Sequence, residues 1–343
     1  MQQTRSSVWQ PGLLRPMLAK GGAQIFDDDQ WQFEIKWDGY RCLAFISKQL
    51  FLQSRNGVNL TPKYPELHAL AGCLPKAAVL DGELVAMGSK GPEFNRLRGS
   101  AGLDADDETT TLQLIAFDVL HAGGCDCIHQ PLHERRELLH RLMSDIESPA
   151  ASRLAVSPAI RGKGRTLFER AREWGYEGIM AKQLQSTYRP GQRSDAWLKF
   201  PIRHEADFLI GGIRSGRRHG FGSLLLGAVA KGPGGHSGRS SESGFLHYVG
   251  KVGSGLNRPE ISDILTAVTP RADSPFDPHP ALALNGDTVF VHPELVCRIH
   301  YLGWTGDGLL RQGSFQRRLL DGGACPLPAD HPLSTVEKGG SGG

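Results

Sequence analysis

An α+β fold in two domains is what this sequence predicts, on three observations. Apolar runs with strand character outnumber helical ones in the first half of the chain. The two kinds do not alternate in a regular βαβ rhythm. After Pro201 the pattern changes to short strands separated by turn residues. A length of 343 residues is ample for two buried cores.

In chain order, Trp31 to Ile35, Leu43 to Ile46, Ala78 to Leu80 with Leu84 to Met87, and Leu112 to Leu120 read as strands bounded by Gly and Pro. Leu138, Leu139, Leu142 and Ile146 recur at helical spacing and predict a helix over Glu134 to Ile146; Arg165 to Trp174 is a second helix, closed by Gly175. Strands return at Gly178 to Ala181 and Trp197 to Phe200. Beyond Pro201, Phe208 to Ile213, Ser223 to Ala230, Phe245 to Val249, Thr288 to His292 and Leu295 to Tyr301 suit a small Greek-key barrel of the OB type. The run 232–244 reads as a flexible hairpin loop, and Gly339 to Gly343 as a disordered tail. The expected organisation is therefore a first domain over 1–203, a barrel over 204–326 and a flexible tail over 327–343.

Net charge is +3, so a nucleic-acid site must be a local surface and not a global field. The six cysteines form no CxxC pair, which argues against a zinc site or a disulfide framework. The apolar run Leu224 to Ala230 is ended by Lys231 far short of a membrane span, and no apolar core follows Arg5 at the N-terminus. A soluble cytoplasmic protein with no membrane partner is expected. The sequence holds no GxxxxGK[ST], no GxGxxG after a strand, no HExxH and no GxSxG. A nucleotide, if one is used, must be held by side-chain charge.

The most informative segment is Glu34-Ile35-Lys36-Trp37-Asp38-Gly39-Tyr40-Arg41. A lysine leaving a strand, followed by a turn and an arginine, is a candidate nucleophile beside a phosphate-binding cation. Lysine attacks only as the neutral amine, which neighbouring cations or a divalent metal favour. The alternative is a surface hairpin with a solvated lysine and an Asp-Gly turn. Four further clusters follow: Ser54-Arg55-Asn56-Gly57; Asp81-Gly82-Glu83, with two carboxylates at an expected strand bend; Glu177-Gly178-Ile179-Met180-Ala181-Lys182; and Trp197-Leu198-Lys199. Taken singly, each reads more readily as solvated charge than as a ligand.

Their order, with Phe117-Asp118 between the third and fourth, resembles the motif series of covalent nucleotidyltransferases, and in particular the ATP-dependent DNA ligases. The resemblance runs from Arg15-Pro16-Met17-Leu18-Ala19 to about Asp321. Phe208-Leu209-Ile210-Gly211-Gly212, Phe221 to Gly227, Tyr248 to Gly253, Trp304-Thr305, Gly308 to Arg311 and Ser314-Phe315 are similar to the OB domain of bacterial end-joining ligases. The resemblance implies an ATP-grasp-like adenylation domain followed by an OB-fold domain. It also implies a nick-sealing activity that passes through a lysyl-AMP intermediate.

Carried onto this chain, the resemblance makes Lys36 the nucleophile, with Lys182 and Lys199 clamping the α-phosphate of ATP. Glu83 and Glu177 would hold Mg²⁺ or Mn²⁺, with Glu83 also near the ribose. Phe117 would stack on adenine, and Glu34 would lie at the adenine amino edge. Arg41 and Arg55 would contact ribose and the DNA 5′-phosphate, where a planar guanidinium can bond bidentately. Arg311 would come from the OB domain, and Arg214, Arg217 and Arg218 form its densest basic patch. Asp38 reads as a turn residue more than a base.

One departure from the family pattern is that Lys199-Phe200 is followed by Pro201 where a second lysine is usual; Arg203 is the nearest substitute. The implied partners are nicked double-stranded DNA and a bacterial Ku protein, for a monomer at the bacterial nucleoid. The competing readings are an RNA ligase or capping-type nucleotidyltransferase, and a DNA-end-binding module without turnover.

Overall fold

The computed structural model describes residues 9–88, 91–92, 110–144, 146, 150–216, 220–229, 246–277, 287–319 and 325–335. The chain divides into two compact units, Met1–Ile202 and Arg203–Gly343. Among the described residues, no helix is long and apolar enough to cross a membrane.

The first unit holds strands β1 (Leu18–Gly21), β2 (Trp31–Ile35), β3 (Tyr40–Ile46), β4 (Leu50–Ser54), β5 (Ala78–Gly88), β6 (Gly91–Pro92), β7 (Thr111–Ala122) and β8 (Cys125–Asp126). Helix α1 (Leu132–Met143), β9 (Leu154–Val156), β10 (Ala159–Arg161), α2 (Gly164–Glu173), β11 (Gly178–Gln183) and β12 (Arg193–Pro201) follow. Two sheets result. One has five strands in the order β1-β12-β11-β2-β10; the other has seven, in the path β4-β3-β5-β7-β8, with β6 beside β5 and β9 beside β7.

Period-two alternation assigns the faces. On the seven-stranded sheet, Cys42, Ala44, Leu80, Leu84 and Leu114 point to an outer core shared with Leu139 and Leu142 of α1. Leu43, Phe45, Val79 and Phe117 point inward and meet Trp197 of the other sheet. On the five-stranded sheet, Phe33, Ile35, Ile179, Ala181 and Phe200 pack outward with Ala171 of α2. Gln32, Glu34, Met180, Lys182 and Lys199 are left for the inward side. The order is thus helix, sheet, site, sheet, helix.

Between β2 and β12, among the described residues, the chain passes from one sheet to the other twice: at Lys36 to Gly39, and at Ser157-Pro158 between β9 and β10. Gly39 sits where a Cβ would collide with the Leu84 carbonyl oxygen, so the first crossing passes tightly over β5. The expected bend at Asp81-Gly82-Glu83 is instead part of one continuous strand, β5, whose register against β7 shifts between Asp81 and Gly82. The glycine that suggested a break is a bulge.

The second unit contains β13 (His204–Arg214), β14 (Ser223–Ala228), β15 (His247–Val252), α3 (Arg258–Ala267), β16 (Thr288–Phe290), β17 (Val296–Tyr301), β18 (Gly303–Trp304), β19 (Leu310–Arg311), β20 (Ser314–Leu319) and α4 (Pro332–Thr335). Its main sheet runs β15-β14-β13-β17-β20, with β16 also on β13. Phe315 donates its N–H to Ser254 just after β15, so the two ends of this order meet. This is an OB fold around Phe208, Ile210, Leu224, Leu226, Val249, Ile299 and Phe315. The expected loop over 232–244 and the Gly-rich end lie outside the described residues.

Residues 325–335, most of which were expected as tail, are folded onto this unit. Tyr301 donates its hydroxyl to Asp330 at 2.9 Å. His331, fully buried, bonds the Gly308 carbonyl through Nε2 at 3.1 Å and accepts the Leu333 N–H on Nδ1 at 3.2 Å. Its ring meets Trp304 at 4.5 Å and His247 at 5.4 Å. The segment lacks apolar periodicity, so the sequence pattern did not disclose that one histidine anchors it.

Burial holds both His331 and His247 below the usual histidine range. The unfolded chain therefore takes up these protons first as pH falls, and the stability they contribute is full above about pH 6.5 and lost below it. Amide exchange around Gly308 and Leu333 should accelerate, beyond the intrinsic pH effect, between pH 7 and 5. In His331→Gln that dependence should flatten.

Candidate active site

Lys36 stands at the first crossing between the sheets. Its N–H is donated to the Gly178 carbonyl at 2.8 Å, and its Nζ lies 2.5 Å from Glu177 Oε2. Gly178 has φ +148°, and a Cβ there would strike the Phe200 carbonyl, so a side chain at 178 would push apart the strands that seat Lys36. Glu177, in the turn before β11, is thereby fixed opposite the lysine.

Leu18, Ala19, Glu34, Lys36, Trp37, Arg41, Arg55, Glu83, Phe117, Met180, Lys182, Arg193, Trp197 and Lys199 are among the residues lining a cavity of about 240 Å³ between the two sheets. Eight of the sequence-derived candidates (Lys36, Lys182, Lys199, Glu34, Arg41, Arg55, Glu83 and Phe117) are thus brought to one cavity, with Glu177 held against it through Lys36.

Charge within the cavity is sorted by depth. At the bottom, Lys182 Nζ bonds Glu34 Oε2 at 2.8 Å, both side chains being 2% exposed, and Gln32 Nε2 donates to the other Glu34 oxygen at 2.7 Å. The Lys182 ammonium also lies 4.0 Å from the Phe117 ring centre and 4.4 Å from that of Trp197, reaching across from one sheet to the other. Burial draws the Lys182 amine below the usual lysine range, with Glu34 opposing.

Arg41 gives Nε and Nη2 to the two oxygens of the buried Asp81 at 2.6 and 2.7 Å. Its guanidinium lies 4.6 Å from the Phe117 ring centre. Asp81 also accepts the Tyr188 hydroxyl at 2.6 Å, and that hydroxyl accepts the Met17 N–H at 2.9 Å. Glu83, opposite Arg41 in the β3–β5 register, is pushed up to about 8 by burial, against the pull of Arg41 and Lys36. Lys199 is drawn down by burial and then by the positive charge of Lys36, Arg193 and Arg55. The upper cavity is therefore a crowd of cations, suited to a polyphosphate.

Asp81, Tyr188, Trp197 and Arg193 were not singled out by sequence as site residues. Arg193, Trp197 and Lys199 share one face of β12 by simple alternation, a signal present in the sequence. Asp81 had been grouped with Glu83 as a second carboxylate; it instead braces Arg41. In the second unit, Arg214 ends β13 and Arg311 lies in β19. Arg217 and Arg218 lie outside the described residues.

Glu83 and Glu177 offer hard carboxylate oxygens of the kind Mg²⁺ or Mn²⁺ takes. Among the described residues, no group of three or more His, Cys, Asp or Glu could hold a metal on its own. The donor set therefore fits a cation that completes its shell with water and phosphate oxygens, as Mg²⁺ commonly does.

Residues 16–200 match the family described as ATP dependent DNA ligase domain, and residues 217–321 match the ATP dependent DNA ligase C terminal region. The chain is 36% identical over 324 residues to the multifunctional non-homologous end joining DNA repair protein LigD of Mycobacterium tuberculosis, covering 92% of this chain and 39% of that protein. It thus spans about two fifths of that relative's length. The crystal structure of the M. tuberculosis LigD ligase domain is similar at 34% identity, with a TM-score of 0.53, covering 91% of this chain and 96% of that one. A mycobacterial DNA ligase D complexed with ATP and MES is similar at 32% identity and the same TM-score, over 91% and 97% of the two chains. The two matches fall in the same order as the two units, with the Lys36 crossing inside the first, and the chain belongs to the ATP-dependent DNA ligase family.

Proposed function

We propose that this chain seals nicks in double-stranded DNA, joining a 3′-hydroxyl to a 5′-phosphate with ATP as co-substrate and Lys36 as the nucleophile. The observation that carries this reading is Lys36 itself: held at a sheet crossing against Glu177, and facing a cavity whose upper part is lined by Lys199, Arg193 and Arg55. Lys36 Nζ would attack the α-phosphate of ATP, forming a phosphoramidate bond to AMP and breaking the bond to pyrophosphate. The AMP would pass to a DNA 5′-phosphate, and the 3′-hydroxyl would then displace it. Each step is an in-line displacement, so positioning and charge neutralisation carry the rate.

Within this reading Phe117 bears the adenine, and Glu34 accepts from its amino edge. The Lys182 ammonium, now beside the Phe117 ring, would then yield that place to the base and turn to the α-phosphate with Lys199. Arg41, braced by Asp81, would approach ribose and the 5′-phosphate; Arg55 would contact the same DNA phosphate. Glu83 and Glu177 would hold Mg²⁺ or Mn²⁺, which when bound supplies positive charge against the phosphates. Arg214 and Arg311, with Arg217 and Arg218, would contribute DNA contacts from the OB unit. The names of the relatives support end joining as the setting; a bacterial Ku protein as partner and a monomer acting at the nucleoid in the cytoplasm are part of the proposal and rest on the family resemblance. The proposed domains are 1–203 and 204–335, the second taking in the segment 327–335 that was expected as tail.

Intact mass after incubation with ATP and Mg²⁺ tests the reading. Wild type should gain one AMP, Lys36→Ala none, and neither GTP nor NAD⁺ should substitute. Labelling by GTP would favour a capping-type enzyme; binding of nicked DNA with no label from any nucleotide would favour a non-catalytic end-binding module.

Lys182→Met should abolish labelling and, by leaving the buried Glu34 carboxylate without its counter-ion, cost about 3–5 kcal/mol in urea unfolding. The double variant Glu34→Leu/Lys182→Met should recover most of that stability while remaining inactive. Such a result would separate the pair's catalytic part from its structural one.

A further inference from the structure

Helix α1 docks on the seven-stranded sheet through Leu132, Arg135, Arg136, Leu139 and Leu142, all buried. These positions follow the helical repeat that normally carries an apolar stripe, yet two of them are arginine. The two are used differently. Arg135 gives Nε and Nη2 to the Asp118 carboxylate at 2.7 and 2.8 Å, and Nη1 to the carbonyls of Gln130 and Ser186. It is a compensated buried ion pair.

Arg136 is 6% exposed, and among the described residues no carboxylate forms an ion pair with it. Its Nη1 donates to the Phe117 carbonyl at 3.2 Å and its Nη2 to the Ser157 carbonyl at 2.6 Å. A guanidinium buried against carbonyls alone is costly, and leucine or methionine would dock the helix at less expense.

The two carbonyls show what the fork joins. Phe117 is the cavity residue proposed above to bear the adenine. Ser157 stands at the second sheet crossing; its N–H donates to the Ala116 carbonyl at 2.8 Å, and its hydroxyl accepts the indole N–H of Trp37 at 3.0 Å. Trp37 directly follows Lys36 and also lines the cavity. Hydrogen bonds therefore run without a break from the residue beside the nucleophile, through Ser157 and Arg136, to the backbone of the aromatic platform. They span both places where the chain passes between sheets.

We propose that Arg136 and Ser157 are positioning residues for nucleotidyl transfer, fixing the distance between the Lys36 crossing and the Phe117 platform so that a base seated on one presents its α-phosphate to the other. This rests on the reading above, in which ATP is the co-substrate. Neither residue touches the cavity's reacting groups. They act through Trp37 and the Phe117 backbone, and a rigid fork suits two carbonyls where a single ammonium would serve one.

The test is single-turnover adenylation of Lys36 over a range of ATP concentrations, alongside sealing of a pre-adenylated nick, which does not require charged lysine. Ser157→Ala and Trp37→Phe each remove one end of the same hydrogen bond. Each should lower the maximal adenylation rate about tenfold, or ~1.4 kcal/mol, with the ATP requirement changed less than about twofold. The double variant should be no slower than the slower single one. Arg136→Met should also raise the ATP concentration needed, and Arg136→Lys should restore part of that loss; urea midpoints identify any variant that fails to fold. Sealing of the pre-adenylated nick should stay within about twofold of wild type in Ser157→Ala, whose side chain does not line the cavity.

Wild-type adenylation in both single variants would overturn the proposal. So would losses that add in the double variant, or equal losses on the pre-adenylated nick, since each marks a packing role only. A wild-type chain that takes no AMP from ATP would overturn the functional reading itself, a result distinct from all of these.

Discussion

The structure depends on one constraint: a single chain must supply strands to two facing sheets and has to cross between them. At a crossing, the backbone leaves the ladder and its polar groups need new partners. At the first crossing the Lys36 N–H keeps one last rung of the β2–β11 ladder by donating to the Gly178 carbonyl, which brings Glu177 against the lysine side chain. The second uses Ser157, whose N–H, carbonyl and hydroxyl are all engaged. The site lies between the sheets because that is where the chain's irregular, hydrogen-bond-rich segments are forced to be. The sheets on either side provide the rigidity that such segments lack.

Burying so many charges in this unit is tolerable because most of the deep ones have a specific counterpart, Arg136 being the exception. Glu34 answers Lys182, Asp81 answers Arg41, and Asp118 answers Arg135. These pairs hold geometry more than they add stability, since the cost of desolvation offsets much of their attraction. Nearer the mouth the balance is deliberately incomplete. Lys199, Arg193 and Arg55 crowd one another, and Glu83 is left with a carboxyl that burial makes reluctant to ionise. That imbalance favours an anionic ligand accompanied by a cation.

Much of this was legible in the sequence, for identifiable reasons. Trp31–Ile35 is a strand of the predicted extent because glycine, proline or charge bounds its apolar run on both sides. Lys36, Arg55 and Glu177 were legible because each sits at a strand end next to a turn residue, whereas Glu83 and Lys199 lie inside strands and were legible through their place in the motif order. What was not legible is which charge answers which. Glu34 and Lys182 are 148 positions apart, Arg41 and Asp81 are 40 apart, and their pairing is decided by strand register, not by local pattern. Helix α3 escaped notice although Asn257 and Glu260 form a reciprocal capping box, because only Ile264 of its length is fully buried and no apolar stripe announces it. Strand β20 escaped for a similar reason, its Gln316, Arg317 and Arg318 breaking the alternation.

The order of strands also has a consequence for synthesis. All strands of the seven-stranded sheet lie between Tyr40 and Val156, so that sheet can assemble from contiguous chain as it leaves the ribosome. The five-stranded sheet cannot: β2 must wait for β10 and β11, more than a hundred residues later, before it gains either neighbour. Such long-range pairing is slow, because the entropy of closing the intervening chain is lost before the contacts form. A nascent chain therefore carries Lys36 through the synthesis of more than a hundred further residues without Glu177, Lys182 or Lys199 beside it. On the proposed reading, reactivity arrives only with the last strands of the unit, so an incomplete product of translation has the lysine but not the groups proposed to act with it.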